Sequence, residues 1–266
     1  MKDSLLRRIR RKWAQYQLRF TRDKTTFRHR KLGTRYGGWY VPIDLLNSTS
    51  ICYCVGAGED VSFDLELINN FGCQVYTFDP TVRAREHIEQ IQTTVHSQNS
   101  TTVKYGASDF YRCDAATLAN LHFHPYGLWK ESGMVRFYAP KNSSHVSHSI
   151  VNLQNTRDYF EAECRDMAGI MTAMGHKDVT LLKLDVEGAE YEILDSLIAA
   201  DIYPHIICVE FDEGHTPRNE GYPQRISNAI KKIKHAGYSA TFFDGWNVTF
   251  VAHRTSSELP QPNVYS

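Results

Sequence analysis

Apolar residues in this chain fall into short unbroken runs that take turns with stretches of helical spacing. Ile51–Val55, Val75–Phe78, Val179–Leu184 (broken by Lys183) and Ile206–Phe211 are such runs, each closed by turn or acidic residues. Runs without alternation suit strands buried on both faces of a parallel sheet. Between them, Phe63, Leu67, Ile68 and Phe71 recur at helical spacing before the stop at Gly72. Residues 81–98 (Val82, Ile88, Ile91, Val95), Tyr159–Met174, the stretch with Ile193, Leu194 and Leu197, and Ile226, Ile230 and Ile233 before Gly237 read as further helices. A third strand is expected from Leu121 and a short one over Met134–Tyr138. Tyr238–Phe243 and Asn247–Ala252 flank Asp244-Gly245-Trp246 as a hairpin. Gly33–Pro42, rich in glycine and aromatic rings, reads as a loop that packs on the body or stacks on a ligand. The alternation predicts an α/β fold.

Ahead of this body, Leu5, Ile9, Trp13, Tyr16 and Phe20 form an apolar stripe with arginines between them, an amphipathic basic helix. Residues 1–31 hold twelve Lys/Arg against two Asp, a net charge of +10, and the rest of the chain carries −10. The stripe is expected to cap the main domain, its arginines solvated or paired with the acidic body. The functional alternative is adhesion to an anionic membrane surface or an acidic glycan carrier; nucleic acid is the less expected partner. The chain divides into a basic arm (1–32), one large domain (33–254) and a loose polar tail (255–266).

Hydrophobic content of 42% and 23% charged residues are ordinary for a globular protein. No apolar run suits a membrane span and no secretory signal is evident, so a cytoplasmic protein, peripheral to a membrane at most, is expected. The six cysteines form no C-x-x-C pair and are read as buried thiols. His122 and His124 are expected to be packed, and His145 and His148 to be solvated loop residues rather than metal ligands.

The chemistry gathers at strand ends. Val55 leads into Gly56-Ala57-Gly58-Glu59-Asp60, then a helix, then a strand closed by Asp79-Pro80. Glycines let the backbone approach a nucleoside, and an acid about 20 residues later can accept from two ribose hydroxyls. The third glycine of a nicotinamide fingerprint is replaced by Val61, which favours S-adenosylmethionine over NAD. A P-loop is absent. The run ending at Leu184 opens into Asp185 and Glu187 around a turn that Gly188 closes; the plain reading is helix capping by Glu187 and Glu190. If the stretch is catalytic, Asp185 is the first candidate for general base, followed by Glu187, Glu210, Asp212 and His215. A Mg²⁺-assisted variant also suits clustered carboxylates.

The segment LLKLDVEGAEYEIL closely resembles the I-K-x-D-V-E-G-A-E signature of FkbM-like class I methyltransferases. CVGAGEDVSFDLEL, VYTFDPT and HPYGLWKESGMVRFY extend the likeness over residues 33–252. The resemblance implies a Rossmann-like, seven-stranded, mostly parallel sheet with helices on both faces and a C-terminal antiparallel hairpin. It also implies methyl transfer from S-adenosylmethionine to a hydroxyl, commonly of a sugar in a glycan, glycolipid or natural product. Carried over, Gly56, Gly58 and Glu59 line the methionine side of the cofactor, Asp79 the ribose, and Asp185 and Glu187 the edge near the transferred methyl. Asp60, Pro80, Gly127 and Asp185 are further candidates for cofactor binding, and His215 for catalysis. The family's turn usually reads D-V-G-A-N-x-G; here Cys54 stands for the acid and Asp60 for the later glycine, with Glu59 or Asp60 as the expected substitute acid. A methyltransferase acting on protein or nucleic acid, or a non-catalytic nucleoside-binding protein, remains an alternative.

Overall fold

In the computed structural model, residues 2–105, 109–139, 149–151 and 156–253 are described. His145, His148 and the tail from 255 lie outside the described residues.

The apolar runs become the strands of one seven-stranded sheet: β1 Ile51–Val55, β2 Gln74–Phe78, β3 Leu121–His124, β4 Leu181–Leu184, β5 Ile206–Glu210, β6 Tyr238–Asp244 and β7 Asn247–Ala252. Their order is β6-β7-β5-β4-β1-β2-β3. The strands β1 to β5 are parallel, and β7 runs against both β5 and β6, so six strands share one direction. Every residue of β4 is buried, Lys183 among its leucines included.

The helices are α1 Lys2–Arg19, α2 Ser62–Phe71, α3 Val82–Gln98, α4 Met167–Met174, α5 Glu190–Ala199 and α6 Tyr222–His235. α2 and α3 bury Phe63, Leu67, Ile88 and Ile91 on one face of the sheet, while α5 and α6 bury Ile193, Leu194, Ile226 and Ile230 on the other. Gly72 ends α2 in the left-handed region at φ +72, where a glycine avoids the Cβ penalty. All six cysteines are free and buried, as expected. His122 and His124 are packed: His122 Nε2 donates to Gln74 Oε1 and the ring stacks on Tyr76, and His124 stacks on Phe78.

Three expectations are corrected. The helix expected over Tyr159–Met174 is a strand, Tyr159–Arg165, followed by α4. Phe160, Ala162 and Cys164 alternate inward with period two, and Asp166 caps α4 by accepting from the Gly169 amide at 2.9 Å, so the helix cannot start earlier. This strand joins Gly127–Leu128 and Gly133–Tyr138 in a separate three-stranded sheet. The glycine-rich loop is the tip of a hairpin, His29–Leu32 pairing with Trp39–Pro42. Trp39 and Val41 are buried, and Tyr40 stacks on Phe242 at 4.2 Å, which anchors the hairpin to the main sheet.

The third concerns the basic helix. The stripe of Ile9, Trp13, Tyr16 and Phe20 does not cap the domain but is exposed; α1 docks instead through Ala14 and Leu18, which join the core. Among the described residues, Ala14 and Leu18 are the α1 residues buried against the body. Past its end, Asp23 bonds the amide and carbonyl of Ala240, covering the β6 edge, and pairs with Lys234 at 2.8 Å. Among the described residues, no helix is long and apolar enough to cross a membrane.

Candidate active site at the carboxyl edge

The turn after β1 and the turn after β4 meet at the carboxyl edge of the sheet. Gly56 has φ +84, and a Cβ there would sit 1.9 Å from the Asp185 carbonyl oxygen, so only glycine permits the approach. The Asp185 amide donates to Val55 O at 3.1 Å, which locks the two turns together. Gly58, at φ +53, is different: a Cβ there would meet nothing within 4 Å. The direction a side chain would take from Gly58 is open, while its amide is held by Asp79.

The acids around the first turn are bonded inward. Asp79 Oδ2 accepts from the amides of Ala57 and Gly58, each at 2.9 Å. Its Oδ1 accepts from the amide and hydroxyl of Thr81 at 2.8 and 2.6 Å. Four donors fill the acceptor capacity of one carboxylate. Asp79 therefore shapes the glycine turn, and its place at a ribose is an expectation these bonds compete with. Asp60 accepts from Thr34 Oγ1 at 2.6 Å and from the Ser62 amide at 2.9 Å, tying the turn to the hairpin tip and to α2. Glu59 is exposed beside the turn. Pro80 follows Asp79, and Gly127 lies buried next to it, where a Cβ would be 2.8 Å from Cys164 Sγ. Gly127 thus lets two strands pack at the rim of the cleft.

The second turn is crowded with charge. Lys183 is buried in β4, donates to the Gly56 carbonyl and pairs with Asp185 at 3.3 Å. Burial works against its charge, but Asp185 and Asp64 outweigh that and raise its pKa. Asp64 is buried in α2, accepts from Thr77 Oγ1 at 2.5 Å and bonds the Cys54 thiol. Cys54 is the register partner of Lys183. The carboxylate that compensates Lys183 from this side therefore comes from Asp64, not from Glu59 or Asp60. A lone lysine in an otherwise apolar strand was the signal for it, since a buried charge demands a partner.

Beyond Lys183 the acids face one another. Burial pushes the Asp185 carboxyl up to about 6; Lys183 opposes this, and the charges of Glu210 and Asp212 add to it. Asp212 is likewise pushed up to about 6, by burial first and then by Glu210, and shares a hydrogen bond with Glu187. Glu187 sits at φ +50 and Gly188 at φ +98, the backbone of a tight turn. Ser149 donates to the Glu187 carbonyl. His215 is 2.8 Å from Glu210 Oε1 and reaches the cluster through that residue and Asp212. Glu213, fully buried, holds Arg225 at 2.7 Å and Arg218 at 3.3 Å, which anchors the segment carrying Asp212. Tyr36, on the hairpin tip, is 73% exposed. Partial burial of its hydroxyl, then the charges of Asp185, Glu187, Glu210 and Asp60, raise its pKa, so it overlooks both turns. Among the described residues, no three His, Cys, Asp or Glu side chains are arranged to hold a metal ion.

A Rossmann-like sheet with a glycine turn after its first strand, an acid after its second and crowded acids after its fourth places the candidate site at the carboxyl edge, where open α/β sheets bind their ligands. Residues 51–240 match the methyltransferase FkbM domain, and the chain belongs to that family. A probable methyltransferase-like protein 24 of Homo sapiens is 26% identical over 58% of the chain, and its counterpart in Rattus norvegicus is 25% identical over 58%. The chain spans 30% of the length of each. The crystal structure of a methyltransferase FkbM from Methylobacillus flagellatus covers 78% of this chain and 44% of its own, with a TM-score of 0.44 and 13% identity.

Proposed function

We propose that this chain is an S-adenosylmethionine-dependent O-methyltransferase whose acceptor is a hydroxyl, of a sugar in a glycan, glycolipid or natural product. The observation that carries the reading is Asp185: an acid pushed up to about 6, held by a buried lysine and set directly against the glycine turn. The turn suits the cofactor, because the space beside Gly58 is open at the sheet edge where such folds bind nucleosides. Gly56, Gly58 and Glu59 would hold its methionine side. When bound, it supplies an electrophilic methyl on a sulfonium.

Charge is lost in that displacement, so alignment of the acceptor oxygen is the protein's main contribution. Asp185 then takes the hydroxyl proton at its carboxylate, and a base with a pKa near neutrality is well matched to that task. Lys183 fixes the position of Asp185 and keeps it from drifting into the protonated form. Glu187 and Asp212, sharing a hydrogen bond, line the acceptor side, with the Glu210–His215 pair beyond. Tyr36 offers an exposed ring over the same space, the kind of surface on which a sugar stacks.

Labelled-methyl transfer to a panel of glycans and lipid-linked sugars tests this reading. Asp185→Asn is expected to lose about 10²–10⁴-fold in transfer while binding S-adenosylmethionine within a few-fold by calorimetry. Unchanged turnover removes Asp185 from the role, and no binding by the wild type removes the enzyme.

A further inference from the structure

The face of α1 turned away from the body, with the turn that follows it, carries Ile9, Trp13, Tyr16 and Phe20, which are 54%, 61%, 59% and 72% exposed. At 100° per residue the four lie within about 60° of one another, opposite Ala14 and Leu18. Tyr16 and Phe20 meet edge to face at 4.8 Å, so the stripe is continuous. A contiguous apolar stripe of this size marks an interaction surface.

Its flank identifies the partner. Lys12 and Arg19 border the stripe, both exposed, with no acidic group in ion-pair range among the described residues. We propose that α1 is an interfacial helix that docks the protein on anionic lipid bilayers. Ile9, Trp13, Tyr16 and Phe20 enter the headgroup boundary, and Lys12 and Arg19 meet the lipid phosphates. Tryptophan and tyrosine favour that boundary, where one end of the ring is apolar and the other wet, and basic flanks add attraction to anionic lipid. The charge asymmetry supports the same choice: a negative surface attracts the +10 head and repels the −10 body, which orients the molecule. A second copy is the poorer occupant, since pairing two such faces brings like charges together. The helix also reaches the cleft: Arg10 pairs with Glu220 at 3.3 Å and Arg11 bonds His215 at 3.0 Å. Docking therefore sets α1 between the lipid surface and His215, with the acidic body on the far side.

The intact protein reports on this directly, because Trp39, Trp129 and Trp246 are buried and Trp13 alone of the four tryptophans is exposed. Vesicles of phosphatidylcholine with phosphatidylserine are expected to shift its emission to the blue, protect it from acrylamide and carry the protein down on sedimentation. Added salt weakens all three. Vesicles of phosphatidylcholine alone are expected to bind at least about 10-fold less. The Trp13→Ser/Phe20→Ser pair and the Lys12→Glu/Arg19→Glu pair change exposed positions only; each is expected to abolish or sharply reduce sedimentation with an unchanged circular dichroism spectrum. Absence of vesicle binding by the wild type overturns the proposal, as does equal binding to neutral vesicles. A blue shift that grows with protein concentration without lipid assigns the face to a second copy and also overturns it. Salt-sensitive retention on single-stranded RNA without vesicle binding does the same. None of these readouts depends on methyl transfer.

Discussion

The turn after β1 and the turn after β4 run side by side, Gly56 against the Asp185 carbonyl, yet their acids live under different terms. Asp79 and Asp60 accept every bond their position offers, mostly from backbone amides and hydroxyls. The result is a backbone shape held by those bonds. Asp185 and Asp212 face other carboxylates, with Lys183 alone to offset Asp185 from behind. The result is groups held close to a change of protonation. One turn is built to hold a shape and the other to hold a charge in suspense. Perturbed acids concentrated on one side of a cleft are what acid–base chemistry requires, and a satisfied network is what a binding surface requires.

The comparison is easiest to break at Lys183. Lys183→Met leaves Asp64 and Asp185 buried without their cation, and is expected to cost about 3–5 kcal/mol in urea unfolding, the usual penalty for removing one partner of a buried pair. The same change should raise the Asp185 pKa further and move the acid limb of the pH–rate profile upward. A stable variant with an unmoved limb would show that Lys183 does not hold the acid side.

The rigid turn is tested by Gly56→Ala. Left-handed backbone and the approach to the Asp185 carbonyl together are expected to cost about 2–4 kcal/mol. Affinity for S-adenosylmethionine should fall with stability, because both turns must shift. Gly58→Ala is the control: the same backbone region but open space, so its Tm should fall less.

The smallest effect sharpens the comparison. A carboxyl whose folded pKa is raised gives stability that is full below its unfolded value and lost as pH rises through the folded one. For Asp185 and Asp212 that loss runs from about pH 4 to about pH 6, and burial of Glu190, pushed up to about 8, extends it. His122, His124 and His176, lowered by burial, act in the opposite sense. The reading is therefore a difference: Asp185→Asn should show a smaller decline in Tm between pH 4 and 6 than the wild type does. Equal declines would mean that Asp185 is not raised. Activity should move the other way, rising with pH as Asp185 ionises.

Much of this was legible along the chain. The buried runs of β1, β2, β4 and β5, the stop of α2 at Gly72 and the closing hairpin all follow from local pattern and turn chemistry. So did the meeting of Gly56–Asp60 with Asp185, through the D-V-E-G-A-E segment. The Tyr159–Arg165 strand was missed because its apolar residues alternate over only three positions before a helix that shares its composition. The α1 stripe was legible as a stripe but not as a surface. Helical spacing tells which residues lie together, and Ala14 and Leu18 on the other side won the contact with the body.

What the sequence determined by itself is the set of parts: strands buried on both faces, a glycine turn, and acids at strand ends. Periodicity and steric limits at glycine are local properties, so they can be read locally. What only the tertiary structure decided is how each acid is used. Asp79 and Asp60 are bound up in the turn, Asp64 compensates Lys183 beside Cys54, and Asp185 is left half-compensated. A carboxylate's proton affinity is set by the burial, charges and donors around it, and those neighbours come from α2, β5 and the hairpin tip, far along the chain.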